Sequence, residues 1–260
     1  MLYIYPIGGL GNMFFHIASI WSLAKDNGDD LCLLNIDKKI YDMDNDPRWD
    51  SKHAEKYKYI FNRFCNKNGV ANHSLQYPYS YIPLIYKNEC EYLGYFQCED
   101  YFKHRRNEIL ELFKPADEFN LEINKYSHLF ENICIHVRRV DYVKLYPNIH
   151  IPQSIEYYNN ALLLLPQDLK VLVFSDDLEW CKENFIGDRF IFIDEVDYIA
   201  IYIMSKMKYH IIANSSFSWW SAWMSEYNDK IIIAPSKWFG GKKINFSIDM
   251  KLIPNSWIKI

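Results

Sequence analysis

The sequence has little glycine or proline, no closely spaced cysteine pair and no long hydrophobic run. Nine glycines and ten prolines in 260 residues argue against long flexible linkers. None of the six cysteines belongs to a CxxC pair, which disfavours zinc sites and dithiol motifs. No stretch approaches the ~20 apolar residues of a membrane span, and no secretory signal opens the chain. We therefore expect reduced core thiols and a cytoplasmic protein.

An excess of positive charge is also missing, since the net charge is −4. A general nucleic-acid binder is usually basic and carries a cationic stripe. We therefore expect no nucleic-acid partner, and any polyanion bound here should be small and held at one local site. What the sequence does have is aromatic residues, at 17% of the chain, which serve equally as core and as platforms for sugar rings.

The amino-terminal residues have the pattern of a βαβ unit. Strand composition at 2–7 is followed by GGLGN at 8–12, by helical spacing at 13–28 and by a second strand at 30–36. Two strands joined through a glycine turn and a helix are typical of a parallel sheet. A helix closed by glycine is predicted over 52–69.

Short hydrophobic strands alternate with helices in the second half of the chain. The strands are predicted at 133–137, 170–177, 189–194, 210–214 and 230–235. Strands that are apolar on both faces are typical of parallel sheets covered by helices. The sequence therefore predicts an α/β protein with two Rossmann-like halves, residues 1–125 and residues 126–260.

Polar clusters follow three of the predicted strands of the second half, at 136–141, 175–177 and 214–220. Ligands of open parallel sheets bind beyond the carboxyl ends of the strands. Arginine forks such as those of Arg138 and Arg139 match phosphate oxygens, and Ser215 stands where a helix begins. The alternative is an internal ion pair between an arginine and Asp141, with ordinary helix capping, and both interpretations stay open.

Five blocks of residues, in order along the chain, carry a family resemblance. They are GGLGN at 8–12, GYFQ at 94–97, HVRRVDY at 136–142, FSDDLEWCK at 174–182 and NSSFSWWSAWM at 214–224. Together they resemble the α-1,2-fucosyltransferases of glycosyltransferase family 11. Two positions depart from that family, because Met13 replaces its usual glutamine and Val140 its usual glycine.

The resemblance implies the two-domain glycosyltransferase B architecture. It implies transfer of fucose from GDP-β-L-fucose to a sugar hydroxyl, commonly the 2-OH of galactose, with inversion and without a metal or other cofactor. The partners would be a nucleotide sugar and a glycan acceptor. Residues 126–260 would bind the nucleotide sugar, and residues 1–125 would form the acceptor side.

The resemblance also suggests catalytic roles. Arg138 would stabilise the charge that develops on the departing diphosphate, with Arg139 packed against its own domain. His136 would bond the diphosphate or orient the arginine, or serve the structure alone. Asp141 is the nearest candidate base and equally a candidate for holding Arg138.

Further residues are candidates for donor binding. They are Gly9, Gly11, Asn12, Ser175, Asp176, Asp177, Asn214, Ser215, Ser216 and Phe217. The glycines let backbone approach a ligand, or simply form a βα turn. The two aspartates suit the donor groups of guanine or ribose, whereas helix capping by Asp177 is the structural alternative.

Other functions are weighed against this one. The alternating carboxylates Asp42, Asp44 and Asp46 have Asp-x-Asp spacing, but a solvated loop explains them better than a metal site. A dinucleotide-binding enzyme is disfavoured because Phe14 occupies the third glycine position. A carbohydrate-binding protein without transferase activity, and a transferase for another nucleotide deoxysugar, remain alternatives. Trp219, Trp220 and Trp223 have the helical spacing of core residues.

Overall fold

The computed structural model describes residues 1–37, 57, 59–145, 148–240 and 251–260. These residues form two compact units, one of Met1–Asp117 with Lys251 and Leu252, the other from Glu118 onward with Ile253–Ile260. Each unit is built on one parallel sheet. A helix connects the first two strands of the first unit, and helices connect most of the described strands of the second. The predicted α/β class with two Rossmann-like halves is confirmed.

The described part of the first unit contains five parallel strands in the order β3-β2-β1-β5-β4. They are β1 (Leu2–Ile4), β2 (Leu31–Leu34), β3 (Cys65–Lys67), β4 (His73–Gln76) and β5 (Cys90–Leu93). Strand β1 is central and buried, and the chain moves outward from it through β2 to β3. It returns on the other side of β1 through β4 and β5.

Helix α1 (Leu10–Asp26) connects the first two strands and is buried around most of its surface. Its Phe14 ring stacks on Phe113, 4.2 Å away and at the end of helix α2 (Arg106–Leu112), which fixes α1 against the rest of the first unit. Gly28 follows α1 with φ +66°, the left-handed conformation that ends many helices. Within the described ranges no helix is long and apolar enough to cross a membrane.

The second unit has six described strands, all parallel, in the order β11-β10-β9-β6-β7-β8. They are β6 (Ile133–Val137), β7 (Val171–Ser175), β8 (Phe190–Ile193), β9 (Tyr209–Ile211), β10 (Ile231–Ala234) and β11 (Ile258–Lys259). The helices that follow α2 are α3 (Asn120–Asn124), α4 (Val140–Lys144), α5 (Ile155–Leu162), α6 (Leu178–Asn184), α7 (Asp197–Ser205) and α8 (Ser216–Met224). The alternate residues Ile133, Ile135 and Val137 of β6 pack into one buried cluster with α5.

Some predictions of local structure were wrong. The helix predicted over 52–69 does not extend to its last residues, because Cys65–Lys67 forms an edge strand whose side chains are exposed. Cys65 is therefore not a core thiol, whereas the other five cysteines are buried and all six are free. The short helices α3 and α4 and the strands β4, β5 and β11 were not predicted. An edge strand with exposed polar side chains lacks the apolar alternation that reveals a strand.

Candidate functional site

The sheet of the second unit changes direction beside β6. From β6 the chain runs outward to β7 and β8, then crosses back to β9 on the other side of β6. The loops after β6 and β9 therefore diverge at the carboxyl ends of neighbouring strands, where open sheets bind ligands. Arg138 follows β6 at this point, and Asn214 to Ser216 follow β9.

Arg138 is held by two carboxylates of the second unit. Its Nε donates to Asp141 Oδ1 at 2.9 Å and its Nη2 to Asp141 Oδ2 at 3.1 Å. Asp176 Oδ2 lies 3.3 Å from the same Nε. Burial opposes the charge, but the Asp176 and Asp141 carboxylates outweigh it and raise the pKa of Arg138 above its usual value. A third of the side chain is exposed, and no described residue accepts a hydrogen bond from Nη1.

Asp176 belongs to the loop after β7 but caps the helix that follows β6. Its Oδ1 accepts the backbone N–H of Arg139 at 2.8 Å, and its Oδ2 that of Val140 at 3.1 Å. Burial raises the pKa of Asp176, although the Arg138 charge lowers it. This carboxylate fixes the start of α4 and thereby the backbone that carries Arg138.

Arg139 points to a different group of residues from Arg138. Its guanidinium lies over the Trp180 ring at 4.1 Å, and its Nε donates to Asp177 Oδ2 at 3.2 Å. The other oxygen of Asp177 caps α6 by accepting the Trp180 N–H at 3.2 Å. Ser175, the remaining candidate of this loop, accepts the Asp177 N–H through its hydroxyl at 2.9 Å. The two arginines are therefore structurally distinct.

His136 is buried at the end of β6, with its ring 5.3 Å from Phe217 of α8. Burial, aided by the neighbouring charge of Arg138, lowers the pKa of His136 to about 3. The imidazole is therefore neutral at physiological pH, and its buried Nδ1 has no hydrogen-bond partner among the described residues. A buried polar atom without a partner is unusual and marks a place where a ligand atom would be favourable.

Asn214 is the corresponding buried polar residue after β9. Its Nδ2 donates to the carbonyls of Ile151 at 3.1 Å and Trp238 at 2.8 Å, while its Oδ1 is buried without a partner in the described chain. The Tyr142 hydroxyl of α4 donates to the Asn214 carbonyl at 2.6 Å and joins the two loops. Ser215 then precedes α8, and its side chain makes no capping hydrogen bond to that helix.

The glycine-rich candidates lie in the first unit. Gly9 precedes α1, and Gly11 and Asn12 stand in its first turn, so the helix begins inside the GGLGN block. Gln97 of the GYFQ block donates to Asn12 Oδ1 at 2.8 Å. Two separate sequence blocks thus meet at one hydrogen bond. Their role toward the donor stays a prediction.

The remaining predicted residues complete the description. Ser216 and Phe217 are partly buried in the first turn of α8. The three tryptophans of α8 are buried, as predicted for core residues. The Asp-x-Asp hypothesis concerns residues 42–46, which lie outside the described residues. Sequence reasoning did not identify Tyr142, whose tyrosine type alone gives no sign of a bond to a loop 72 residues away.

Comparison with known proteins identifies relatives with both sequence and fold similarity. An α-1,2-colitosyltransferase of Escherichia coli is 36% identical over 189 residues, covering 67% of this chain and 63% of that protein. The O-antigen biosynthesis glycosyltransferase WbnK of Escherichia coli is 32% identical over 196 residues, covering 67% and 62%. The matches thus span less than two thirds of either relative.

The solved structure of the E. coli heptosyltransferase WaaC with ADP resembles the fold across 99% of this chain and 92% of that one, with a TM-score of 0.50 and 6% identity. The fold is accordingly of the glycosyltransferase B type. A family model described as Glycosyl transferase family 11 matches residues 27–258, which is most of the sequence. The chain therefore belongs to glycosyl transferase family 11.

Proposed function

We propose that this protein is an inverting glycosyltransferase that moves L-fucose from GDP-β-L-fucose to a sugar hydroxyl, forming an α-1,2 linkage to galactose. The observation that carries the proposal is the setting of Arg138. Two carboxylate contacts fix one edge of its guanidinium, and Nη1 on the other side has no partner among the described residues. A cation already fixed before reaction stabilises developing charge without reorganisation.

Cleavage of the sugar–phosphate bond leaves negative charge on the diphosphate. In the proposed reaction Arg138 absorbs that charge through its free edge, because a guanidinium stays protonated at any working pH. The start of α8 adds partial positive charge, and Ser215 leaves the first-turn N–H groups of that helix uncapped by its side chain. Arg138 and the start of α8 follow β6 and β9, the neighbouring strands between which the strand order of the second sheet reverses, its switch point.

His136 and Asn214 supply neutral polar atoms next to this charge. The low pKa of His136 keeps the imidazole uncharged, so it acts as a hydrogen-bonding group rather than as a second cation. The unpartnered His136 Nδ1 and Asn214 Oδ1 are the buried atoms best suited to meet donor hydroxyls or N–H groups. In this proposal they orient the nucleotide sugar.

Asp141 acts in this proposal by positioning Arg138. Both of its oxygens accept hydrogen bonds from that guanidinium, and such a paired contact fixes the plane of the arginine fork. The acceptor hydroxyl must still lose its proton during transfer. The assignment of Asp141 as the base stays a prediction, and its Asn variant separates the two roles.

The donor sugar has a second candidate. One relative is named an α-1,2-colitosyltransferase, and the same name supports the α-1,2 linkage proposed here. A pocket that binds fucose and one that binds another deoxysugar differ in a few hydroxyl contacts, whereas the diphosphate contacts are shared. Colitose is therefore the alternative donor sugar, with the same roles for Arg138 and His136.

A panel of GDP-activated sugars tests the proposal. The purified protein is incubated with GDP-fucose, GDP-colitose or GDP-mannose, with lactose as acceptor and with EDTA throughout. We expect release of GDP and a fucosylated product from GDP-fucose alone. Product from GDP-colitose alone would mean that the donor sugar is colitose and not fucose. Binding of lactose without GDP release from any donor would favour the carbohydrate-binding protein that lacks transferase activity.

A further inference from the structure

We infer that an aromatic pocket in the first unit binds one neutral pyranose ring of the acceptor. This inference rests on the proposed function, because it names the acceptor site of the same reaction. The pocket has a volume of about 280 Å³. The lining residues used here are Tyr5, Gln76, Tyr77, Tyr79, Leu93 and Tyr95.

The pocket lies where the topology of the first sheet favours a ligand. Strands β1 and β5 are neighbours, yet the chain leaves β1 toward β2 and reaches β5 only from the other side. The pocket is lined by residues at and after the carboxyl ends of β1, β4 and β5. This is the switch point of the first sheet, the position that Arg138 occupies in the second.

The lining chemistry selects a neutral sugar. None of the described residues that line the pocket carries a charge, so a diphosphate would lose its hydration there without compensation. A pyranose presents an apolar face of C–H groups and a rim of hydroxyls. Tyrosine rings match that face, and the Tyr77 O–H group and the Gln76 side-chain amide can form hydrogen bonds with the rim. The volume is small for a ligand pocket and suits a single ring.

The walls of the pocket are fixed by contacts inside the first unit. The Tyr77 ring is stacked near Tyr92 with centroids 6.0 Å apart, and its hydroxyl accepts the Ile85 N–H at 2.9 Å. Tyr79 and Tyr95 are stacked with centroids 5.1 Å apart and an interplanar angle of 19°. Tyr79 is nonetheless 47% exposed, which makes it the rim ring that a ligand would cover.

Saturation-transfer NMR with methyl β-D-galactoside and no donor tests the inference. Tyr79→Ala removes the rim ring, Tyr79→Phe keeps it, and Tyr86→Ala is the matched control, an exposed tyrosine outside the pocket lining. We expect Tyr79→Ala to weaken the galactoside about tenfold and the other two variants to bind like the unmodified protein. A cooperative thermal unfolding transition close to that of the unmodified protein shows that each variant is folded.

Two results would overturn the inference. One is an absence of saturation transfer from the unmodified protein to methyl β-D-galactoside, methyl β-D-glucoside and methyl α-L-fucoside alike. The other is Tyr79→Ala binding as tightly as the unmodified protein. Because the donor is absent, galactoside binding together with an inactive donor panel would reject the transferase proposal and leave the pocket standing.

Discussion

Asp141 holds the Arg138 guanidinium through two hydrogen bonds, from Nε at 2.9 Å and from Nη2 at 3.1 Å. Such a paired contact fixes the plane of the fork as well as its position. Asp176 approaches the same Nε at 3.3 Å and also caps the helix on which Asp141 stands. The orientation of Arg138 is therefore set by residues after two different strands.

The proposal predicts that GDP raises the melting temperature of the unmodified protein and that Arg138→Ala abolishes this rise. The variant should also lower turnover about 100-fold or more, because a fixed charge-stabilising donor is lost. Arg139→Ala is the matched control, since Arg139 stacks on Trp180 and pairs with Asp177. It should lower the free energy of unfolding while GDP still stabilises the protein. Equal loss of GDP binding in both variants would contradict the distinction.

Asp141→Asn separates positioning from base catalysis. The amide keeps one acceptor oxygen but loses the charge and the second acceptor, so Arg138 should be less well oriented and GDP should bind several-fold more weakly. Isothermal titration with GDP and steady-state kinetics measure the two effects. Unchanged GDP affinity with a large fall in kcat would instead identify Asp141 as the base.

Gly8→Ala should destabilise the first unit more than Gly28→Ala. Both glycines have left-handed φ angles, +74° and +66°, so either alanine costs about 1 kcal/mol or more in backbone strain. At Gly8 the new Cβ would also lie 2.5 Å from Asn12 Nδ2, whereas nothing lies within 4 Å at Gly28. Urea unfolding measures the free energy of unfolding of the two variants, and an equal decrease in both would rule out the clash at Gly8.

Stability should fall as the pH drops below about 6.5. Burial lowers the pKa values of His136 and His210 to about 3, so between these pH values the unfolded chain binds protons that the native one does not. Each histidine then lowers the free energy of unfolding by up to about 1.4 kcal/mol for every pH unit of acidification. Urea unfolding at pH 7.5 and 5.5 measures this effect. Between these pH values the free energy of unfolding should fall less for His136→Gln than for the unmodified protein, while the control His128→Gln, at an exposed histidine, should behave like the unmodified protein.

One thiol per chain should react with an aromatic disulfide reagent under native conditions, and six after unfolding, because Cys65 alone among the six is exposed. Cys32 Sγ lies 2.7 Å from Cys65 Sγ, but burial raises the pKa of Cys32 to about 12 and keeps it protonated. Release of two equivalents of the thiol product would show that Cys32 attacks the mixed disulfide. Cys65→Ser should remove the native reaction.

Five of the six strands described in the second unit were predicted because they are largely apolar, whereas the exposed two-residue strand β11 was not. Strand β6 occupies residues 133–137, as its apolar run predicted, and α6 begins after Asp177, as the capping alternative for that residue indicated. Edge strands β3 and β4 expose most of their side chains, so no apolar period marked them. Local pattern reveals an element only where burial requires it.

The sequence separated Arg138 from an Arg139 packed against its own domain, and Asp141 was a candidate for holding Arg138. The structure adds the Trp180 ring beneath Arg139 and a second carboxylate, Asp176, beside Arg138. Asp176 was proposed for the nucleotide, yet its oxygens accept two backbone N–H groups 36 and 37 residues away in the chain. Contacts over such separations leave no local signal.

The amide pair Asn12–Gln97 couples two positions that are 85 residues apart. An amide that loses its counterpart at a partly buried position leaves a polar group unpaired, so a change at one site penalises the other. Substitutions at 12 and 97 should therefore occur together in descendants of a common ancestor. Co-variation of the residues at positions 12 and 97 among members of the family would be evidence that this hydrogen bond is under selection.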